Sequence, residues 1–326
     1  MTTQSTPTPP APPHGTGRGT NERSPIRKRV GDRVFRGIAT GAGVLILLTL
    51  AGVAIFLIVE SSSAFTAGKE DVLGGVSLMS YVWPLIFGTL LSSAMALIIA
   101  MPLAVGVALF ISHYAPRRFA WVLGYLVDLL AAVPSVIYGL WGLFFLAPHI
   151  VPLYAWLNEH LGWFPLFAGT ASVTGRTILT ASLVLAIMIL PISTSLCREV
   201  FLQTPRANEE AAMALGATRW EMIRMSVFPY ARSGMVSAAM LGLGRALGET
   251  MAVAMVLSAS GVVTFKVLTD TNPSTIAANI ALNFPESSGI QVHILILTGL
   301  VLFLITFIVN FLARSIVGSK APTGSM

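Results

Sequence analysis

The chain has 326 residues, 55% of them hydrophobic and only 10% charged, where an ordinary soluble domain carries about 25% charged residues. That balance excludes a water-solvated globular domain, a secreted disulfide scaffold and a disordered chain. The net charge of +6 does not point to nucleic acid, because the basic residues flank apolar runs instead of forming a phosphate-tracking face. The one cysteine, Cys197, cannot close an internal disulfide, and His14, His113, His149, His160 and His293 lack the paired spacing of a zinc site. No metal or cofactor is expected.

In chain order, residues 1–24 are rich in Pro, Thr and Gly, a composition that predicts a disordered tail. A basic juxtamembrane segment follows over 25–36, with Arg27, Lys28, Arg29, Arg33 and Arg36. The charge-free run 37–59 is too long for the apolar core of a signal peptide and is followed by no small-residue cleavage site, so it is expected to be a retained helix. Further charge-free runs occupy 82–112, 129–148, 177–197 and 294–313, each at or above the roughly 20 residues that cross a bilayer. A sixth run, 233–263, is interrupted by Arg245 and Glu249. The third span is expected to begin near Phe119, which would put Asp128 inside it or at its edge. Without the roughly 10-residue alternation of barrel strands, these runs predict helices. The expected fold is an all-α polytopic membrane protein with six transmembrane helices over 37–316 and a short tail over 317–326.

Basic residues assign an orientation, since the positive-inside rule counts Lys and Arg in alternate connections. The segment up to Arg36, the connection with Arg117 and Arg118, the stretch from Arg198 to Arg232, and the end with Arg314 and Lys320 hold 16 of them. The opposite connections hold three, Lys69, Arg176 and Lys266. Both termini are therefore expected in the cytoplasm of a multi-pass protein of the cell membrane.

The cytoplasmic stretch 198–232 is longer than the 2–8 residues or so that join packed helices, which implies structure of its own. Within it, TPRANEEAAMALGATRWEMIRMSVFP reads as helix, turn, helix. Thr204 is expected to cap a first helix that starts at Pro205 and runs to Leu215, and Gly216 to end it in the left-handed region. Thr218 with Glu221 three residues on makes a capping box for a second helix, which Pro229 is expected to close. Ala211, Ala212 and Ala214 would let another surface approach closely.

Glu210, Ala211 and Ala212, Gly216 after three intervening residues, and Pro229 resemble the EAA loop of ABC-importer permeases, the coupling helix that docks on an ATPase subunit. Ser226 and Phe228 depart from the Ile and Leu that the family favours before the proline. The segments AAVPSVIYGLWGLFFLAP and LGRALGETMAVAMV are similar to the phosphate permease subunits PstC, and the resemblance covers about 33–316. It implies a type I importer permease that works with a homologous second permease, two ATPase subunits and an extracytoplasmic phosphate-binding protein. The chain itself has no G-x-x-x-x-G-K-[ST] phosphate loop, so ATP hydrolysis is expected on a partner and no enzymatic activity here.

Arg245 and Glu249, four residues apart, are expected to share a helix face near the bilayer centre. Each unpaired charge there would cost about 3 kcal/mol. Two readings stay open: a buried ion pair that fixes packing, or a substrate-path pair. In the second, the guanidinium forks onto a dehydrated oxyanion, while the carboxylate neutralises it at rest and accepts a phosphate hydroxyl. Asp128 reads as an acid near the cytoplasmic interface, and Arg176 as an outer interfacial anchor or an anion attractor. The small residues Gly242, Gly244, Ala246 and Gly248 would admit a close helix. An intramembrane enzyme is disfavoured because no H-E-x-x-H or G-x-S-x-G pattern occurs. A permease for another oxyanion or small polar solute, and a membrane scaffold or nutrient sensor, remain the alternatives.

Overall fold

The computed structural model describes residues 30–318. The proline-rich tail, Arg27 to Arg29 and positions 319–326 lie outside the described residues. Two compact units divide the chain after Gly52. The first holds the larger part of α1 (Val30–Ser61), which from Gly37 to Gly52 carries no charge and exposes its side chains all round, the pattern of a helix solvated by lipid.

Among the described residues, the second unit takes the rest of α1 and eleven further α-helices. They are α2 (Leu78–Leu109), α3 (Arg117–Ala131), α4 (Ser135–Trp141), α5 (Ala147–Leu161) and α6 (Ile178–Leu202), then α7 (Arg206–Ala214), α8 (Arg219–Met222), α9 (Phe228–Leu247), α10 (Met251–Val256), α11 (Ile276–Asn283) and α12 (Ile290–Gly318). Among the described residues, Val34–Thr66, Leu78–Tyr114, Ser135–Leu161, Ile178–Leu202 and Ile290–Ser315 are each long and apolar enough to cross a membrane. The core is built by α2, α6 and α9. Ala96, Ala100, Ala104 and Ala108 recur every four residues on α2 and are fully buried, a small-residue stripe that brings α6 close. At Gly234 of α9, a Cβ would stand 2.4 Å from a Val200 methyl of α6, so only glycine permits that approach.

Two spans differ from the sequence reading. The third does not begin near Phe119: α3 ends at Ala131, and Pro134 takes an extended backbone before α4. Proline drives the residue before it out of the helical region and lacks the N–H that would continue the ladder. The Tyr138 hydroxyl donates to Leu130 O at 2.9 Å, satisfying a carbonyl at the end of α3. Asp128 thus sits on a separate helix, where it accepts from Ser195 Oγ at 2.7 Å and pairs with Arg198 at 3.4 Å. The span expected over 233–263 is broken: α9 stops at Leu247 and α10 starts at Met251, six residues long. Glycines at 244 and 248 weaken the helix, and the Glu249 side chain competes for its backbone.

At the N-terminal end of α6, Thr177 caps the helix by accepting from Thr180 N. Asn272, fully buried, accepts from Ile178 N at 3.0 Å and donates to Thr269 O at 2.9 Å. One amide thereby ties the irregular segment 257–275 to the start of α6, and such satisfied buried networks fix a unique arrangement.

Candidate coupling surface and translocation cleft

Over 204–229 the chain builds helix, turn and helix as expected, with corrections at both ends. Thr204 does not cap α7. Its Oγ1 is buried with no hydrogen-bond partner, and Pro205 occupies the cap position. Gly216 has φ +85°. Its N–H donates to Met213 O at 3.0 Å, and Ala217 N donates to Ala212 O at 3.2 Å. Those two bonds are the paired C-terminal closure that a left-handed residue makes possible. Thr218 Oγ1 accepts from Glu221 N, and Glu221 Oε2 accepts from Thr218 N at 2.8 Å, completing the capping box. The Thr218 N–H bond first, then a bond that Thr218 Oγ1 donates to the same Oε2 at 2.8 Å, hold the Glu221 carboxyl below its ordinary value.

Pro229 does not close the second helix. It stands in the first turn of α9, where its missing N–H costs little, and α8 runs into α9 through a widened turn over Ile223–Val227. The three alanines also part company: Ala211 and Ala214 are exposed, while Ala212 is buried against the chain's own Met222, Ile223 and Val227. The exposed surface is instead carried by Glu210, Ala211, Met213 and Leu215, the last 90% exposed beside Gly216. Two features escaped the sequence reading, Leu215 and the contact of His113 Nε2 with Glu209 Oε1 at 3.6 Å. That contact ties the turn that ends α2 to α7 over a cavity of about 420 Å³.

Arg245, half-buried in the last turn of α9, lines a cleft of about 770 Å³ between α6, α9 and α12. Ile192, Ser237, Gly244, Asn310 and Arg314 are among its other walls. Glu249 is 8% exposed and lies outside the helix, with Oε1 accepting from Ala252 N at 3.0 Å. Its carboxylate therefore stabilises the start of α10, whose first N–H groups would otherwise be orphaned. Arg245 and Glu249 make no ion pair: the ion pairs among the described residues are His113–Glu209, Arg198–Asp128 and His293–Glu60. A break at membrane depth is tolerated only where backbone is buried in protein or lines a wet cavity. Here α10 is held by contact with α4, where a Cβ on Gly139 would come within 2.8 Å of Ala252 Cα. Of the expected small-residue face, Gly242 and Ala246 are buried, while Gly244 opens on the cleft. Arg176 lies at the end of α10, where its Nη2 donates to Met255 O at 3.3 Å.

Comparison with known proteins places this arrangement. The family model for binding-protein-dependent transport system inner membrane components matches residues 100–318. A Mycobacterium tuberculosis protein named phosphate transport system permease protein PstC 2 is 47% identical over 303 residues, covering 90% of this chain and 93% of its own. The proteins named phosphate transport system permease protein PstC in Mycobacterium leprae and Haemophilus influenzae are 44% and 37% identical over 300 and 311 residues. They cover 89% and 90% of this chain, and 94% and 95% of their own. Among solved structures, a bacterial ABC transporter involved in the import of the acidic polysaccharide alginate aligns with TM-score 0.52 at 18% identity. The alignment covers 87% of this chain and 99% of that one, a likeness of fold alone. The chain belongs to the inner membrane components of binding-protein-dependent transport systems, among the PstC permeases.

Proposed function

We propose that this chain is the membrane-spanning permease subunit of an ATP-driven importer of inorganic phosphate. It forms half of the translocation path with a homologous second permease. It takes cargo from an extracytoplasmic phosphate-binding protein and docks through α7 on one of two ATPase subunits. The chain is not itself an enzyme; hydrolysis of ATP is the work of the partner. Both termini lie in the cytoplasm, on the strength of the basic-residue asymmetry.

The observation that carries this reading is Arg245: an arginine with no carboxylate within 4.0 Å among the described residues, lining a cleft one turn before a broken helix. A guanidinium kept without a counter-charge is arranged for a mobile anion, and its planar fork matches a tetrahedral oxyanion. Glu249 belongs to the path as the residue that holds the break open and accepts the hydroxyl of protonated phosphate, which sulfate cannot offer. The resting ion pair with Arg245 drops out, because the break removes the four-residue helical spacing. Glu210, Ala211, Ala212, Gly216, Thr218, Glu221 and Pro229 serve coupling, Ala212 from inside the knob, Pro229 from the exposed first turn of α9 and the others at the knob's surface or turn.

Co-purification from a native membrane tests the assembly: an ATPase subunit and a second permease are expected in the complex. Labelled phosphate uptake by that complex in vesicles tests the cargo. Uptake of a different oxyanion in place of phosphate would transfer the same machinery to another substrate and overturn this one.

A further inference from the structure

Two arginines, not one, open on the cleft between α9 and α12. Arg314 lies on the last part of α12, with Asn310 one turn before it on the same face, and both are exposed. Ser237 of α9 lines the same cleft, eight residues before Arg245, a separation of about 12 Å along the helix axis at roughly 1.5 Å per residue. The cleft is thus lined by two cationic groups, a hydroxyl and an amide. Its remaining walls include Ile192 and other apolar side chains, and no carboxylate lines it among the described residues. Neither arginine makes an ion pair among the described residues.

Like charges on one partly apolar cleft, with no acid to offset them, favour an anion between or beside them. Asn310 Nδ2 gives one hydrogen to Thr306 O at 2.9 Å, which leaves a second N–H and Oδ1 for a ligand. A hydrogen-phosphate ion presents both acceptors and a donor, and this set answers both. The cleft volume of about 770 Å³ exceeds that of one such ion, so the anion would keep part of its water.

We propose that Arg314, with Asn310, forms a second oxyanion site on the cytoplasmic side of Arg245, where phosphate leaving Arg245 is held before release. The proposal rests on the reading of Arg245 as a path residue and extends that path by one station. A second cationic station lets the anion leave the first without returning to a bare apolar wall. An occupant of another kind, a helix of the partner permease, would fill the same cleft and bury Arg314.

The test uses the assembled, nucleotide-free complex without binding protein, and inorganic phosphate as the probe. Arg314→Gln is expected to weaken equilibrium phosphate binding about tenfold, as a lost charge-assisted contact does, while Arg314→Lys retains most of it. Phosphate, but not chloride at equal ionic strength, should slow labelling of Asn310→Cys by a charged thiol reagent, in a Cys197→Ser background. Normal binding in Arg314→Gln with lost binding in Arg245→Gln would end this proposal and leave the path reading standing. Normal binding in both variants would remove both. Failure of the Asn310→Cys complex to label at all, with loss of assembly in both Arg314 variants, would show the cleft to be a subunit interface and overturn the site.

Discussion

Arg245 bears most of the functional argument, and its environment explains why a change there should be read in transport rather than in folding. Because the guanidinium is paired with no described carboxylate, neutralising it strands no partner charge, unlike the breaking of a buried ion pair. Arg245→Gln should lower phosphate uptake by about two orders of magnitude, roughly 3 kcal/mol at a charged contact, with assembly intact. Uptake per assembled complex checks it. Glu249 behaves differently, since Oε1 holds Ala252 N. A glutamine amide can still accept that bond, so Glu249→Gln should assemble normally and lose part of its preference for phosphate over sulfate. Glu249→Leu should destabilise α10 by the roughly 1–3 kcal/mol of an unsatisfied buried group. Competition between labelled phosphate and sulfate, alongside thermal melting of the complex, separates the two effects. The chemical types at 245 and 249 were legible in sequence, because charges in an apolar run cannot be idle. Their mutual geometry was not. Four-residue spacing assumes a continuous helix, and the local bond from Glu249 to the α10 backbone ended that continuity.

Among the elements, the α7 to α9 knob shows how local chemistry and packing divide the work. Gly216 and the Thr218–Glu221 box were readable because they rest on neighbours within three or four residues. The burial of Ala212, the exposure of Leu215 and the place of Pro229 inside a continuing helix depend on contacts with α2, α6 and α9, which no local pattern encodes. At Gly216 a new Cβ would meet nothing within 4 Å, so the cost of substitution is backbone strain alone. Gly216→Val should uncouple ATP hydrolysis from substrate, since a β-branched residue resists positive φ. Gly216→Asn, which tolerates that region, should retain coupling. Substrate-stimulated ATP hydrolysis in the two assembled variants decides, and equal coupling in both would remove the turn from the mechanism. Glu221 adds a pH dependence: its folded pKa is depressed, so its cap stabilises the knob near neutral pH and is lost as pH falls through the shifted value. Hydrogen exchange at α8 amides, corrected for the intrinsic rate, should rise in that acidic window.

For the whole molecule, composition alone announced a lipid-solvated helical chain, because an apolar run of bilayer length has few other stable outcomes. The interruptions at Pro134 and Gly248 were not announced, since prolines also sit inside α2 and α6 without ending them. Whether such a residue breaks a helix depends on what satisfies the freed backbone groups, here Tyr138 and Glu249. The proposed orientation rests on the 16 to three partition of basic residues. Cysteines placed at Arg117 or Arg118 should label only from the cytoplasmic face, and those at Lys69, Glu159 or Lys266 only from outside, in a background lacking Cys197. The central claim, that this permease passes phosphate along a cleft governed by Arg245, is tested most directly by ATP-driven uptake of labelled phosphate. The measurement uses vesicles holding the complete complex, normalised to assembled protein, with sulfate as the competing anion. Saturable phosphate uptake that sulfate does not displace, and that Arg245→Gln abolishes, is the predicted result; wild-type uptake by Arg245→Gln would contradict it.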